Sequence, residues 1–515
     1  MISIYPNAMT PVTPSSPQSE LLELQASIYR EARSSGRPVK QLMTWLLDRR
    51  NLQAAWDRIQ SSDGANTPGL DGVTVAQIGA RSVSWLAKLA DDLYHRSYRP
   101  MSPRWIEVPK PRKPGKFRKI GILCIRDRVV QAAAKQILEP IAEPVFLDGS
   151  FGFRPGRSVA GALGSALRLL SDQSHQSARF SAVAQLDIAD CFDTIDHQLL
   201  LEEVARHVAD LDVLALLEQI LQAGGQQIGR LWWKRTCVIV RGSSRSPLLC
   251  NLALHPLDQA LHDFGQAAQD GLRLLRYADD LLLIGRDSKL TDRGIALTRQ
   301  ILQRMQQKLG SGSESAIPIE RGVNWLGVRI QPRPNAWLGY TTCGYVIPDE
   351  KVIQMLERLT EMTTPPNEKI DGSAFNLSRW IVSINEQLRD WRQAYLYADN
   401  APDVFRALDE HTSNRLASLL QSVTGARWSQ LQNQYRVRLP RGFQTWEYQG
   451  SRLTVLSSLA PHAPARLTRK PAWMSHNPKK QQTSEPEPML ALPSPEQIQE
   501  EAKPEVPTQE TKDQS

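Results

Sequence analysis

An α+β fold is predicted from three patterns in the chain. Short β-prone runs at 181–188, 236–240, 272–284 and 323–330 alternate with segments of helical spacing, which implies a sheet covered by helices on one face. Beyond residue 350 the pattern becomes helical: Trp380, Ile384, Leu388, Trp391 and Tyr395 follow at steps of four, four, three and four, a single apolar stripe. At 515 residues the chain is long enough for two or three domains with sizeable cores.

The elements follow in order. Residues 1–20 are rich in Pro and Ser and are expected to be disordered. Leu42, Trp45, Leu46, Leu52, Trp56 and Ile59 keep helical spacing until the segment from Gly64 to Gly72 breaks it, and helices over 80–95 and 127–142 come next. Residues 441–475 mix Trp446, Tyr448 and Trp473 with Arg452, Arg466, Arg469 and Lys470. Such a stretch either binds RNA backbone and stacks bases or supplies a few strands that close the fold. Residues 476–515, rich in Pro, Glu and Gln, read as a disordered tail.

Charge points to a polyanionic partner. The formal net charge is +8, but from His476 onward eight Asp+Glu stand against four Lys+Arg, so residues 1–475 carry +12. Lys110, Arg112, Lys113, Lys116, Arg118 and Lys119 fall within ten residues. Clustering of this kind favours nucleic acid over a generally basic surface. The five cysteines (124, 191, 237, 250 and 343) have no paired spacing, which argues for a reducing, cytoplasmic setting and against a structural zinc site. Cys191 reads as a small packing residue. No apolar run approaches the length of a bilayer span, and a signal-peptide pattern is not expected.

Two segments carry the chemistry. Arg276-Tyr-Ala-Asp-Asp-Leu-Leu-Leu-Ile-Gly285 sets Asp279 and Asp280 between two apolar runs, which predicts a β-hairpin projecting both carboxylates from its turn. Adjacent like charges are costly to bury without a cation, and a carboxylate-held divalent metal suits phosphate chemistry. An exposed hairpin tip is the plainer alternative, and Asp91-Asp92 shows that the pair alone is not diagnostic. Upstream, a β-prone run ends at Asp187, a carboxylate from a second strand. Asp190, Asp193 and Asp196 follow at intervals of three and read as capping and solvation of a helix starting near His197.

Asp187-Ile-Ala-Asp-Cys-Phe-Asp-Thr-Ile-Asp-His197 and Tyr277-Ala-Asp-Asp280 resemble motifs A and C of the reverse transcriptases encoded by group II introns. Gly69-Leu-Asp-Gly-Val-Thr74, the basic block from Glu107 to Ile122, Arg126-Asp-Arg-Val-Val-Gln131, Gly152-Phe-Arg-Pro-Gly-Arg-Ser158, Ser246-Pro-Leu-Leu-Cys-Asn-Leu252 and Trp325-Leu-Gly327 resemble further blocks of that family, in its order. Residues 385–395 resemble the core of its maturase, or X, domain, although an ordinary bundle helix explains the stripe equally well. The resemblance implies a right-hand polymerase. It has an N-terminal extension and fingers over 21–180, a palm with an antiparallel sheet over 181–345 and an α-helical thumb over 346–440. A basic RNA-binding extension would occupy 441–475.

The implied activity is RNA-directed DNA synthesis: a primer 3′-hydroxyl attacks the α-phosphate of a dNTP on an RNA template, the primer being DNA or RNA. Two Mg²⁺ ions, replaceable by Mn²⁺, would be held by Asp187, Asp279 and Asp280 with the carbonyl of Ile188. Phe192 stands where the family places the ring that excludes a ribose 2′-hydroxyl. Lys110 and Arg118 match the residues that neutralise the triphosphate. Arg126, Arg154 and Arg157 would position the template backbone, Tyr277 would pack beneath the primer terminus, and Trp325, Leu326 and Gly327 would form the primer grip.

Departures from the family stand out in two places. Its motif B reads Pro-Gln-Gly-Gly-x-x-Ser-Pro, whereas here Val240-Arg-Gly-Ser-Ser-Arg-Ser-Pro247 puts Arg241 in the position of the nucleotide-contacting glutamine. The lysine expected before the primer grip, a proton donor to pyrophosphate, is replaced by the run from Gly310 to Ile317, with Lys308 as a candidate from a shifted position. No downstream His-Asn-His endonuclease cluster is expected. The partner could be an intron RNA or, in a domesticated relative, CRISPR adaptation proteins in phage defence. A maturase-like protein that binds RNA and assists splicing is the competing reading.

Overall fold

The strand Ala182–Asp187 organises the structure, because apolar residues occupy both of its faces. The structure is a computed structural model that describes residues 17–109, 115, 117–171, 180–224, 226–228, 231–233, 246–311, 315–335, 340–363 and 377–459. Lys110, the Arg118 side chain, Arg241, the expected strand at 236–240, residues 460–475 and the expected tail lie outside that description. Four antiparallel strands lie in the order 272–277, 280–285, 182–187, 317–318.

Side chains alternate across a strand, and here each set enters a different core. Ala184, Leu186, Leu281, Leu283 and Leu272 join one apolar cluster. Val183, Leu282, Ile284 and Leu275 join another. The first face packs on the helices Ser246–Ala267 and Ser288–Arg304. The second packs on the helix Val159–Ser171 and on a three-stranded sheet of residues 323–325, 328–335 and 340–346. The expectation of helices on one face alone is therefore corrected. The uninterrupted run Leu281–Ile284 is the physical reason, since a half-solvated strand would alternate with polar residues.

Other elements follow the expected pattern with local changes. The 42–59 stripe forms two helices, Leu42–Leu47 and Arg49–Gln60. Asp48 leaves the helical region and accepts from the Arg50 amide at 2.8 Å, capping the second helix. Helices Ser82–Tyr94 and Ile125–Ala142 stand where spacing predicted them. Helix Pro17–Ser35 begins inside the stretch expected to be disordered. The 323–330 run is split by a Leu326-Gly327 turn, both residues at positive φ. Downstream, helices Asp349–Met362, Leu377–Tyr395 and Ala401–Thr424 pack around the second core. Strands 436–438, 444–448 and 451–452 close onto them. Trp446 is buried there, its indole N–H donating to Ser413 at 2.8 Å, so it fills the fold and is not exposed for base stacking. Among the described residues no helix is long and apolar enough to cross a membrane.

Candidate active site

The hairpin forms as expected. Strands Leu272–Tyr277 and Asp280–Gly285 are joined by Ala278-Asp279, with Tyr277 paired to Asp280. Tight two-residue hairpin turns need a residue at positive φ to match the strand twist, and Ala278 takes that conformation at φ 58°. On its other side Asp280 pairs with Asp187. Paired residues in an antiparallel sheet point to the same face, so Tyr277, Asp280 and Asp187 form one row at the sheet's end. Asp279 stands at the adjoining turn, where its carbonyl accepts from the Ile188 amide at 3.2 Å.

The surroundings of Asp280 are unfavourable to its charge. The Asp280 carboxyl is pushed up from 3.8 to about 6, chiefly by burial and further by the charges of Asp187 and Asp279. Gln185, two residues before Asp187 on the same face, opposes this by donating to Asp280 at 3.0 Å. The backbone of Leu326 opposes it too, which brings the turn of the 323–335 hairpin to the carboxylate. Among the described residues no three acidic, histidine or cysteine side chains already close around a common point. Asp187 and Asp280 instead share one face at the sheet's edge, with Asp279 in the adjoining turn, which fits a cation that completes its shell with substrate phosphate oxygens.

The surrounding residues divide into those beside the row and those away from it. Phe192 is half-buried against the first core, one residue after buried Cys191. Gly310 donates to the Asp187 carbonyl at 2.7 Å and the Lys308 carbonyl accepts from Ala189 at 2.9 Å, so the segment carrying Lys308 runs along the Asp187 loop. Trp325 is buried in the second core. Gly327 accepts from the Tyr395 hydroxyl at 3.5 Å, linking the helix Leu377–Tyr395 to this turn. Of the three aspartates read as caps, Asp196 accepts from Leu199 at 2.9 Å, while Asp190 sits at φ 46° without a side-chain cap.

Arg154 requires a correction. Its guanidinium is buried, forked onto Glu143 at 3.0 and 2.6 Å, and bonded to the carbonyls of Leu147 and Ser150 at 2.7 Å each. Those bonds occupy the group, so it holds the 143–154 loop and is not available to template phosphates. Arg126 and Arg157 are partly exposed, paired with Asp92 at 3.6 Å and Asp148 at 2.8 Å, and Arg157 also donates to the Asp148 carbonyl at 2.7 Å. Such exposed pairs contribute at most about 1 kcal/mol and can exchange for a phosphate.

Sequence reasoning missed Gln185, although a lone amide in Ala-Val-Ala-Gln-Leu-Asp was a visible signal. It also missed Arg128, which donates to the carbonyls of Gly64, Thr67 and Leu123 and so fixes the loop before the Gly69 box. Gly69 itself lies so close to Cys124 that an added Cβ would meet its backbone nitrogen at 2.5 Å.

Carboxylates from two strands of an antiparallel sheet, in a basic chain, are compatible with the nucleic-acid polymerase class. Comparison with known proteins gives the family. The family model described as reverse transcriptase (RNA-dependent DNA polymerase) matches residues 108–330. The chain is 32% identical to protein YkfC of Escherichia coli K12 over 331 residues, covering 59% of this chain and 85% of that protein. It is also 32% identical over 205 residues to the group II intron-encoded protein LtrA of Lactococcus lactis, covering 40% of this chain and 32% of LtrA. Against the COX1/OXI3 intron 1 protein of Saccharomyces cerevisiae identity is 28%, over 41% of this chain and 24% of that protein. The chain belongs to the reverse transcriptases of the group II type, and is an RNA-directed DNA polymerase. Enzymes of that family work with divalent metal ions. The chain spans a third or less of the length of its intron-encoded relatives.

Proposed function

We propose that the chain copies an RNA template into DNA at the row formed by Asp187, Asp280 and the adjoining Asp279, within a palm built on the four-stranded sheet. The observation that carries this reading is the register. Two carboxylates from separate strands lie side by side, and the acidity of Asp280 is suppressed by burial first and by the charges of Asp187 and Asp279 further. Such a row is costly for a protein with no use for it. The three aspartates, with the Ile188 carbonyl, would hold two Mg²⁺ ions. When bound, these supply charge that acidifies the primer hydroxyl and stabilises the departing pyrophosphate.

The chain's own groups do the rest. Phe192 presents its ring to the sugar and leaves no room for a 2′-hydroxyl. Lys110, the next residue in sequence after the strand Arg104–Pro109, and Arg118, on its partner strand Phe117–Ile122, neutralise the triphosphate as fingers residues. Arg241 reaches phosphate without copying an amide's paired donor and acceptor. Tyr277 packs under the primer end, and the Leu326-Gly327 turn grips it while the helix Leu377–Tyr395 serves as thumb. Arg126 and Arg157 bind the template backbone, and Lys308 protonates pyrophosphate.

The names of the intron-encoded relatives favour an intron RNA as template and partner over a CRISPR adaptation complex. The test is extension of a primed RNA template by dNTPs with Mg²⁺ or Mn²⁺. Wild-type chain is expected to synthesise cDNA and the Asp279→Ala, Asp280→Ala double variant to make none. Equal extension by both would refute the assignment.

A further inference from the structure

The catalytic turn is held by an arginine that touches none of the reacting groups. Arg276 is fully buried, and its guanidinium makes five bonds. Nε and Nη2 fork onto Asp258 at 2.7 and 2.5 Å, and Nη2 also donates to the Ser150 hydroxyl at 3.0 Å. Nη1 donates to the Asn251 side-chain oxygen at 2.8 Å and to the carbonyl of Ala278 at 3.1 Å. That last bond fixes the peptide plane joining Ala278 to Asp279.

Asn251 extends the brace, its amide donating to the Gly152 carbonyl at 2.7 Å. Gly152 lies against the turn so closely that a Cβ would come 2.3 Å from the Ala278 nitrogen. Asn251 and Asp258 both sit on the helix Ser246–Ala267. One guanidinium therefore connects that helix, the 150–152 loop and the turn. The turn needs the support, because alanine at φ 58° resists a conformation that glycine adopts freely.

We propose that Arg276 is a positioning residue that acts on the turn through the Ala278 carbonyl and is itself held in place by Asn251. It holds Ala278 in its left-handed conformation and so aims Asp279 and Asp280 at the metal. The inference rests on the reading of those aspartates as metal ligands.

The test uses the full chain and two readouts: Mn²⁺ binding in the absence of nucleic acid, followed by electron paramagnetic resonance, and the thermal unfolding midpoint. Asn251→Ala keeps the Arg276–Asp258 pair, so the midpoint is expected to stay near wild type. Mn²⁺ affinity is expected to fall about tenfold, the size usual for losing a group that orients metal ligands. With Ala278→Gly already present the same substitution is expected to cost less than about threefold, since glycine removes the strain the brace resists. Ser150→Ala, which removes a single guanidinium contact, gives the same comparison if Asn251→Ala lowers the midpoint. An equal loss in the Ala278 and Gly backgrounds, or no loss in either, overturns the positioning role. If Asp279→Ala, Asp280→Ala leaves Mn²⁺ binding intact, the metal-site reading itself fails and this one with it.

Discussion

Asp280→Asn should make the metal-free protein more stable while abolishing synthesis. Burial and the neighbouring charges raise the Asp280 carboxyl from 3.8 to about 6, and that gap corresponds to about 3 kcal/mol favouring its protonated form. The sign follows from linkage. A carboxyl raised in the folded state is neutral and harmless below its unfolded value, and its penalty grows as pH rises through the folded value. At pH 8 in EDTA the wild type bears the whole penalty, so the asparagine variant should gain up to about 3 kcal/mol. At pH 5 the gain should shrink to about half of that. Asparagine still offers Gln185 an acceptor, so packing changes little. Urea denaturation of both proteins at the two pH values measures the difference. Added Mg²⁺ should stabilise the wild type more than the variant, because only the former keeps all three carboxylates. A variant no more stable than wild type at pH 8, or a gap that does not narrow at pH 5, refutes the electrostatic account.

Gln185→Leu removes a bond that lowers the Asp280 value, so the acid limb of the pH–rate profile should move to higher pH; an unmoved limb excludes the contact. Arg154→Ala leaves Glu143 buried and unpaired and should destabilise the fold by about 3–5 kcal/mol, seen in the unfolding midpoint. The salt dependence of RNA binding should meanwhile stay unchanged. Phe192→Ala should admit ribonucleotides in primer extension, and unchanged sugar selection would remove the gate assignment.

Much of the site was readable because its signals are local. Asp279 closes a two-residue turn between apolar runs, Asp280 opens the strand after it, and Asp187 ends a strand of small and branched residues. Each needs only period-two patterning to be found. What escaped depends on distant pairing. Arg154 was read with the Gly152–Ser158 block as a template-backbone residue, and only the fold shows Glu143 reaching it. Arg276 looked like the edge of a motif, yet its partners lie 18, 25 and 126 residues away. The second buried face of the sheet was legible in Leu281–Ile284, but the run was read only as a hairpin strand in a sheet covered on one face. The break at Asp48 was also hidden, because apolar spacing continues across it while a single capping carboxylate ends one helix and starts another.

The four-stranded sheet is a partition between two apolar compartments, and this sets when the enzyme can exist. One compartment draws its buried residues from Leu24 to Leu302, the other from Phe151 to Leu456. The wall that carries the aspartates is complete only when both sides press on it. During synthesis the first side can assemble while the second still lacks its closing helices. Its face of the wall, the one bearing Asp280, would then be open to water, and burial would not yet disfavour the Asp280 charge. Competence to polymerise thus arrives late, with the C-terminal helices. A chain cut before them would keep all three aspartates and lose the packing that buries Asp280.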